Sequence, residues 1–245
     1  MGRHWSGQGL RLLVAISSCG DFESNGHNQA LRDTWLKDLA DFPSLDYKFF
    51  FGEGQNAPQL ADSILLPGVP DDYGHLTYKT QASLRWAHGE GYDFVFRCFP
   101  DTFVKVDRLM ACPFWDYDYY GDFRREEGGR TDGGTGEFRP TLQQAQNYAS
   151  GGAGYWLSRK AFFLLLDAPV TGVWRDEITT YAEDLWVGNI LGRGPKLKYF
   201  DDRRFVNQGS AYWPNFDNDA ITAHMSCPVR YDKSMMYAAW KRWNP

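Results

Sequence analysis

The chain has 245 residues, of which 43% are apolar and 17% aromatic, and a formal net charge of −5 at pH 7. That length and apolar content indicate a folded protein, most simply one domain with a sizeable core. Acids and bases are interspersed, so no basic surface advertises nucleic acid or an anionic membrane, and no apolar segment approaches the roughly 18–20 residues of a membrane helix.

In chain order, the apolar run 10–16 ends at Ser17-Ser18-Cys19-Gly20, which predicts a first parallel strand running into a binding loop. Over 28–39, Ala30, Leu31, Trp35 and Leu39 recur at helical spacing while Arg32, Asp33, Lys37 and Asp38 face elsewhere. A second strand is expected at 47–51, stopped by Gly52-Glu53-Gly54, and a short third at 63–66, followed by a turn-rich connection over 67–74. Leu76, Thr77, Thr80, Leu84 and Ala87 make one face of a helix over 76–87. The strand at 93–97 follows, β-branched or aromatic at 94–96 as in a central strand covered on both faces. Alternating strands and helices argue for βα units and a mostly parallel sheet.

Asp101 falls at the carboxyl end of that strand, where open α/β sheets bind ligands. Pro100 has no N–H for a sheet ladder, so the strand is expected to stop before it. The second half reads less regularly. A strand is expected at 117–121, and 124–140 reads as a loop rich in glycine and charge. The small-residue block Ser150-Gly151-Gly152-Ala153-Gly154 gives way to a strand. Ser158 is placed to cap a helix over 159–166, ended by Asp167 and Pro169, and a further helix is expected over 182–191, closed by Gly192. The cysteines at 19, 98, 112 and 227 are widely separated, which gives no support to zinc or CxxC redox chemistry. Buried free thiols are the expectation, with a disulfide open if the chain is exported.

Several blocks, in order, carry a family resemblance. They are Arg32-Asp33-Thr34-Trp35, the strand end Phe49-Phe50-Phe51-Gly52, Asp71-Asp72-Tyr73-Gly74-His75-Leu76-Thr77-Tyr78-Lys79-Thr80, the strand leading to Asp101, Tyr148 through Ser158, Glu183-Asp184-Leu185-Trp186-Val187-Gly188, and Thr222-Ala223-His224. Together they resemble the inverting β-1,3-glycosyltransferases related to β-1,3-galactosyltransferases and Fringe. The resemblance implies a GT-A fold, a Rossmann-like α/β sheet flanked by helices, with a nucleotide-sugar half at about 10–110 fused without a linker to an acceptor and catalytic half at about 111–245. It implies transfer of a hexose or N-acetylhexosamine from a UDP-sugar to a glycan or other hydroxyl acceptor, with inversion and a β-1,3 linkage.

For individual residues, the resemblance implies Asp184 as general base, Asp101 as a metal ligand contacting the donor, and His224 as the late histidine completing the metal shell. Manganese is the expected ion, since imidazole suits a transition metal better than calcium or magnesium. Where the family carries Asp-Asp-Asp or Asp-x-Asp, this chain has Phe99-Pro100-Asp101, so metal binding is expected to be weaker. Arg32 and Lys79 are candidates for donor phosphate. Gly151 and Gly152 are candidates for a wall that leaves room for a sugar, with Glu183 and Trp156 beside the substrate. Trp115, Trp186 and Trp213 are further stacking candidates; most tryptophans pack in a core or groove, so at most one or two of these and Trp156 are expected to touch the acceptor.

Residue type alone supports plainer roles. Asp101 is then a turn-capping carboxylate, Glu183 and Asp184 are first-turn acids favoured by the helix dipole, and Arg32 and Lys79 are solvated helix charges. His224 becomes a satisfied core or surface imidazole. The alternative function is a catalytically impaired nucleotide-sugar or glycan-binding module of the same fold. A third reading is a transferase with an unusual acceptor, such as a modified nucleobase or a bacterial glycan. Nucleic acid is not the expected partner. With no membrane segment, the cytoplasm is favoured over a lumenal domain lacking its anchor.

Overall fold

The structure, a computed structural model, describes residues 9–54, 58–125, 135–138, 147–170, 183–207, 219–225 and 231–244. β1 (Leu12–Ser17) is buried along its whole length, as a strand covered on both faces must be. Two short helices follow, α1 (Gly20–Ser24) and α2 (His27–Asp33). The helix expected over 28–39 breaks at Thr34, whose backbone leaves the helical region and whose hydroxyl donates to the Ala30 carbonyl at 2.6 Å. A tighter 3₁₀ segment, Trp35–Asp41, carries the apolar face onward.

β2 (Leu45–Glu53) pairs in parallel with β3 (Ser63–Pro70). β3 runs through part of the expected turn, because a register shift lets Pro70 pair opposite Glu53, and a proline is tolerated on an edge strand. α3 (Leu76–Gly89) and β4 (Phe94–Cys98) complete the first half close to expectation. Next come β5 (Thr102–Val104), α4 (Val106–Ala111), β6 (Tyr119–Gly121) and β7 (Phe123–Arg125). β8 (Thr135–Phe138) corrects part of the loop expected over 124–140: its backbone pairs antiparallel with a later strand, and that pairing overrides the low strand preference of glycine. Residues 126–134 and 139–140 lie outside the described residues.

β9 (Asn147–Ala149), β10 (Tyr155–Ser158) and α5 (Arg159–Phe163) follow, and the Ser158 hydroxyl does cap α5 by accepting from Ala161 N–H at 3.2 Å. α5 ends before the expected 166, where Leu164 and Leu165 turn tightly back on Ala161 and Phe162. α6 (Glu183–Arg193) contains Gly192 within its last turn instead of stopping at it; Ala182 lies outside the described residues. β11 (Leu197–Asp201), β12 (Phe205–Val206), β13 (Thr222–His224) and α7 (Lys233–Trp243) close the chain.

The large sheet has the order β3-β2-β1-β4-β10-β6-β11-β8. β3, β2, β1 and β4 are parallel, β10 is antiparallel to both its neighbours, and β6 and β11 are parallel to each other. A small sheet, β12-β13-β5, stands beside it. Alternate residues of β1 feed two cores. Leu12, Val14 and Ile16 join Trp35, Leu109 and Met236 on one face, while Leu13 and Ala15 join Leu84, Phe162 and Val187 of α3, α5 and α6 on the other. The chain builds outward from β1 through β2 to β3, then returns to the opposite side of β1 as β4. That reversal opens a crevice beyond the carboxyl ends of β1 and β4, the ligand position of open α/β sheets.

Candidate active site

A cleft of about 640 Å³ occupies that crevice. Ser17, Ser18 and Cys19 enter it from the end of β1, Phe99 and Asp101 from the end of β4, and Gly152, Asp184 and His224 from the second half of the chain. β1 therefore does run into a loop that lines the cleft. The strand before Asp101 ends at Cys98, ahead of Pro100.

Backbone pairing brings Asp101 and His224 together. β5 begins one residue after Asp101 and pairs antiparallel with β13, so that His224 lies opposite Thr102, and Met225 N–H donates to the Asp101 carbonyl at 2.8 Å. The side chains then meet, with His224 Nε2 3.2 Å from Asp101 Oδ2 and His224 Nδ1 3.3 Å from the Asn207 carbonyl. Burial disfavours a charged imidazole here, but the Asp101 carboxylate outweighs it and raises the proton affinity of His224. Gly152 permits this approach, since an added Cβ would lie 2.5 Å from His224 Nδ1. Its missing side chain makes room for the imidazole as well as for any ligand.

Glu183 and Asp184 open α6 and use their neighbours differently. Asp184 Oδ2 accepts from Gly151 N–H at 3.1 Å and Oδ1 from Leu185 N–H at 2.9 Å. Burial raises its proton affinity, and those two N–H groups oppose the rise. Glu183 is turned into the protein, with Arg97 Nη1 2.8 Å from Oε1 and the Tyr155 hydroxyl donating to Oε2 at 2.9 Å. Burial pushes its carboxyl up to about 7 against the pull of Arg97. Tyr73 stands at the cleft mouth, largely exposed, and partial desolvation of its hydroxyl by the cleft wall, together with the charges of Asp184 and Asp101, raises that hydroxyl.

The two basic candidates hold protein, not open space. Lys79 lines the cleft, yet its ammonium lies 2.6 Å from Asp71 Oδ1 and donates to the Ser18 carbonyl at 2.7 Å. Asp71 also accepts from the backbone N–H groups of Gly20 and Gly52, so this pair ties the loop after β1 to the end of β2. Arg32 is not among the cleft residues. It forks onto Glu23 and Asp62, with contacts of 2.7 Å to each, and its guanidinium lies over the Phe49 ring at 4.5 Å.

The structure thus gathers Asp101, His224, Asp184, Glu183, Gly152 and Lys79 around one cavity, with Gly151 in contact through its N–H. It does not bring Trp156 there. That indole is 1% exposed and stacks on Phe114 at 4.0 Å within the core. Trp186 is equally buried and donates to the Pro169 carbonyl at 3.1 Å. Trp213 lies outside the described residues. Sequence reasoning gave no role to Arg97 or Asp71 and read Phe99 only as a lost acid. For Arg97 a signal was present, a charge inside the apolar run of a central strand, which needs a buried partner.

A second hollow of about 570 Å³ lies at the amino ends of β4 and β11, lined by Trp115, Tyr117, Asp118, Lys160 and Lys198. It is remote from the carboxylates of the cleft, and Lys160 is paired there with Asp118 at 3.0 Å. Among the described residues, Cys19, Cys98 and Cys112 are free thiols, and no helix is long and apolar enough to cross a membrane.

No family model matches the chain. The chain is similar in sequence to a galactosyltransferase. It is 30% identical over 127 residues to "Glycoprotein-N-acetylgalactosamine 3-beta-galactosyltransferase 1" of Xenopus laevis, a match spanning 51% of this chain and 31% of that protein, so less than a third of the relative's length is covered. Among solved structures, a glycosyltransferase involved in the glycosylation of the major capsid of PBCV-1 aligns over 94% of this chain and 99% of its own, with a TM-score of 0.48 and 9% identity. The inositol-1-phosphate CTP transferase from T. maritima aligns over 95% and 96%, with a TM-score of 0.44 and 12% identity.

Proposed function

We propose that this protein is a glycosyltransferase of GT-A type that moves a hexose or N-acetylhexosamine from a UDP-sugar to a hydroxyl acceptor, with inversion and a β-1,3 linkage. The observation that carries the reading is the convergence of Asp101, His224 and Asp184, far apart in sequence, on one cleft at the strand-order reversal. The named galactosyltransferase relative supports the reaction class.

Asp184 is the general base in this reading. Its carboxylate is aimed by two backbone N–H groups, and burial raises its affinity for a proton, both of which suit a group that takes the acceptor's hydroxyl proton as that oxygen attacks the anomeric carbon. A single displacement from the face opposite the leaving diphosphate inverts the anomeric centre.

The Asp101 and His224 side chains fit a divalent cation. One offers a hard oxygen and the other a nitrogen 3.2 Å away, and the Asn207 carbonyl beside Nδ1 leaves Nε2 facing the carboxylate, as in metal-binding histidines. Among the described residues no group of three or more such ligands occurs, so the protein would hold the ion by these two, with donor phosphate oxygens and water completing the shell. When bound, manganese would offset the charge of the departing diphosphate. That need is acute here, because Asp21, Asp72, Asp101 and Asp184 line the cleft, while Lys79 and Arg97 are taken up by Asp71 and Glu183.

The alternative, a nucleotide-sugar-binding module with impaired catalysis, is favoured by the Phe99 ring, which lies over the Arg97 guanidinium at 3.6 Å where the resembling family carries acids. A panel of UDP-sugars assayed with water alone and with a panel of glycan and simple hydroxyl acceptors for manganese-stimulated UDP release separates the two. Release from at least one donor supports the enzyme. Binding of donors without release from any supports the module and removes the transferase reading.

A further inference from the structure

Beneath the cleft lies a polar node to which the proposed chemistry gives no role. Arg97 reaches it from the central strand β4 with 1% of its side chain exposed, and pairs at 2.8 Å with Glu183, 3% exposed. Tyr155 and Thr80 supply hydroxyl donors to the second Glu183 oxygen at 2.9 and 3.4 Å. Phe99 lines the cleft and covers the guanidinium at 3.6 Å. Gly151 closes the side of the node, where an added Cβ would lie 2.7 Å from Glu183 Oε1 and 3.2 Å from Arg97 Nη1.

A charge pair withdrawn this far from water contributes little net stability compared with apolar residues of the same volume. Its geometric consequence is larger. Glu183 is the peptide neighbour of Asp184, and the glycine that packs against the pair is the one whose N–H holds Asp184 Oδ2. Both supports of the Asp184 carboxylate, the first turn of α6 and the Gly151 amide, are therefore braced against the same ion pair. We infer that the Arg97–Glu183 pair, covered by Phe99, is a positioning device that links the central strand to Asp184 and holds its carboxylate toward the cleft. The inference rests on the reading of Asp184 as the base. Displacing a reacting group by about 1 Å can cost on the order of a hundredfold in rate, so a brace of this kind acts on turnover and leaves donor affinity alone.

The test uses the double variant Arg97→Met/Glu183→Met, which removes both charges together and avoids stranding one of them. Two quantities are read: hydrogen exchange of the Gly151 amide by NMR, and kcat and KM with manganese for whichever UDP-sugar of the donor panel the wild type uses. The expected result is exchange at Gly151 faster by roughly tenfold or more and kcat lower by roughly tenfold or more, with KM within about twofold of wild type. A folded double variant with wild-type Gly151 protection and wild-type kcat overturns the inference. Should that variant fail to fold, Glu183→Gln, which keeps an acceptor for Tyr155 and Thr80, gives the same two readings and is judged the same way. An Asp184→Asn variant as active as wild type, or a wild type without turnover, sinks the base assignment instead, and the Gly151 amide then decides the bracing on its own.

Discussion

On the wall built by β1, β2 and α3, Lys79 and Arg32 are enclosed by Asp71, Glu23 and Asp62, whereas on the wall built by β5, β13 and α6 the carboxylates of Asp101 and Asp184 face the cavity. The first wall uses charge to fix backbone: one carboxylate, Asp71, gathers Gly20 N–H, Gly52 N–H and the Lys79 ammonium. The second wall leaves charge available to a ligand. Lys79 and Arg32 on the first wall are thus architectural, and under the proposed function the charge of a nucleotide-sugar donor would be offset by a cation held on the second wall.

This contrast can be broken most forcefully by Lys79→Met. The Lys79 side chain is 2% exposed and removing its ammonium strands Asp71, so a loss of about 3–5 kcal/mol is expected in urea unfolding. A variant that keeps wild-type stability but loses donor affinity would make Lys79 a phosphate ligand after all. Arg32→Met should cost less, about 1–3 kcal/mol, since its partners are 17% and 19% exposed and water can replace part of the fork. Donor affinity should not change with it.

On the opposite wall, Asp101→Asn is expected to weaken manganese binding by roughly tenfold or more with little change in unfolding midpoint. Calorimetric titration of the ion in the absence of donor checks this, and an unchanged affinity would place the ion elsewhere. A smaller effect concerns pH. Burial holds the Glu183 carboxyl at about 7 in the folded protein, against 4.5 as its ordinary value. The folded state then binds more protons than the unfolded one between those values, so this group's contribution falls as pH rises from about 4.5 to about 7 and is constant above. Glu183→Gln should flatten that part of the stability profile, and Arg97, Tyr155 and Asp184 are the groups facing it that must be held constant.

The fold was largely legible, because the apolar runs at β1 and β4 and the helical face of α3 carry periodicity that depends only on neighbouring residues. The small sheet was not: β5, β12 and β13 are two or three residues each, and β5 meets β13 across more than a hundred positions. β8 was hidden for the same reason, its backbone recruited by β11 out of a glycine-rich stretch.

The candidate site shows a similar divide. Asp101, His224 and Asp184 were placed by motif order, and the structure gathers them. The exchange of roles between basic residues was not readable. Lys79 differs from a phosphate ligand only because Asp71, one turn and a bend earlier, turns toward it, and Arg32 only because Asp62 arrives from the start of β3. Trp156 shows the converse, a residue that looks like a sugar platform in sequence but lies in the core against Phe114.

The most direct measurement compares Asp184→Asn with wild type in UDP release from a sugar nucleotide accepted by the wild type, alongside calorimetric donor affinity. The account predicts turnover lower by about 10²- to 10⁴-fold with affinity for the donor preserved. Wild-type turnover in the variant would contradict it, and so would a loss of rate explained entirely by lost donor binding.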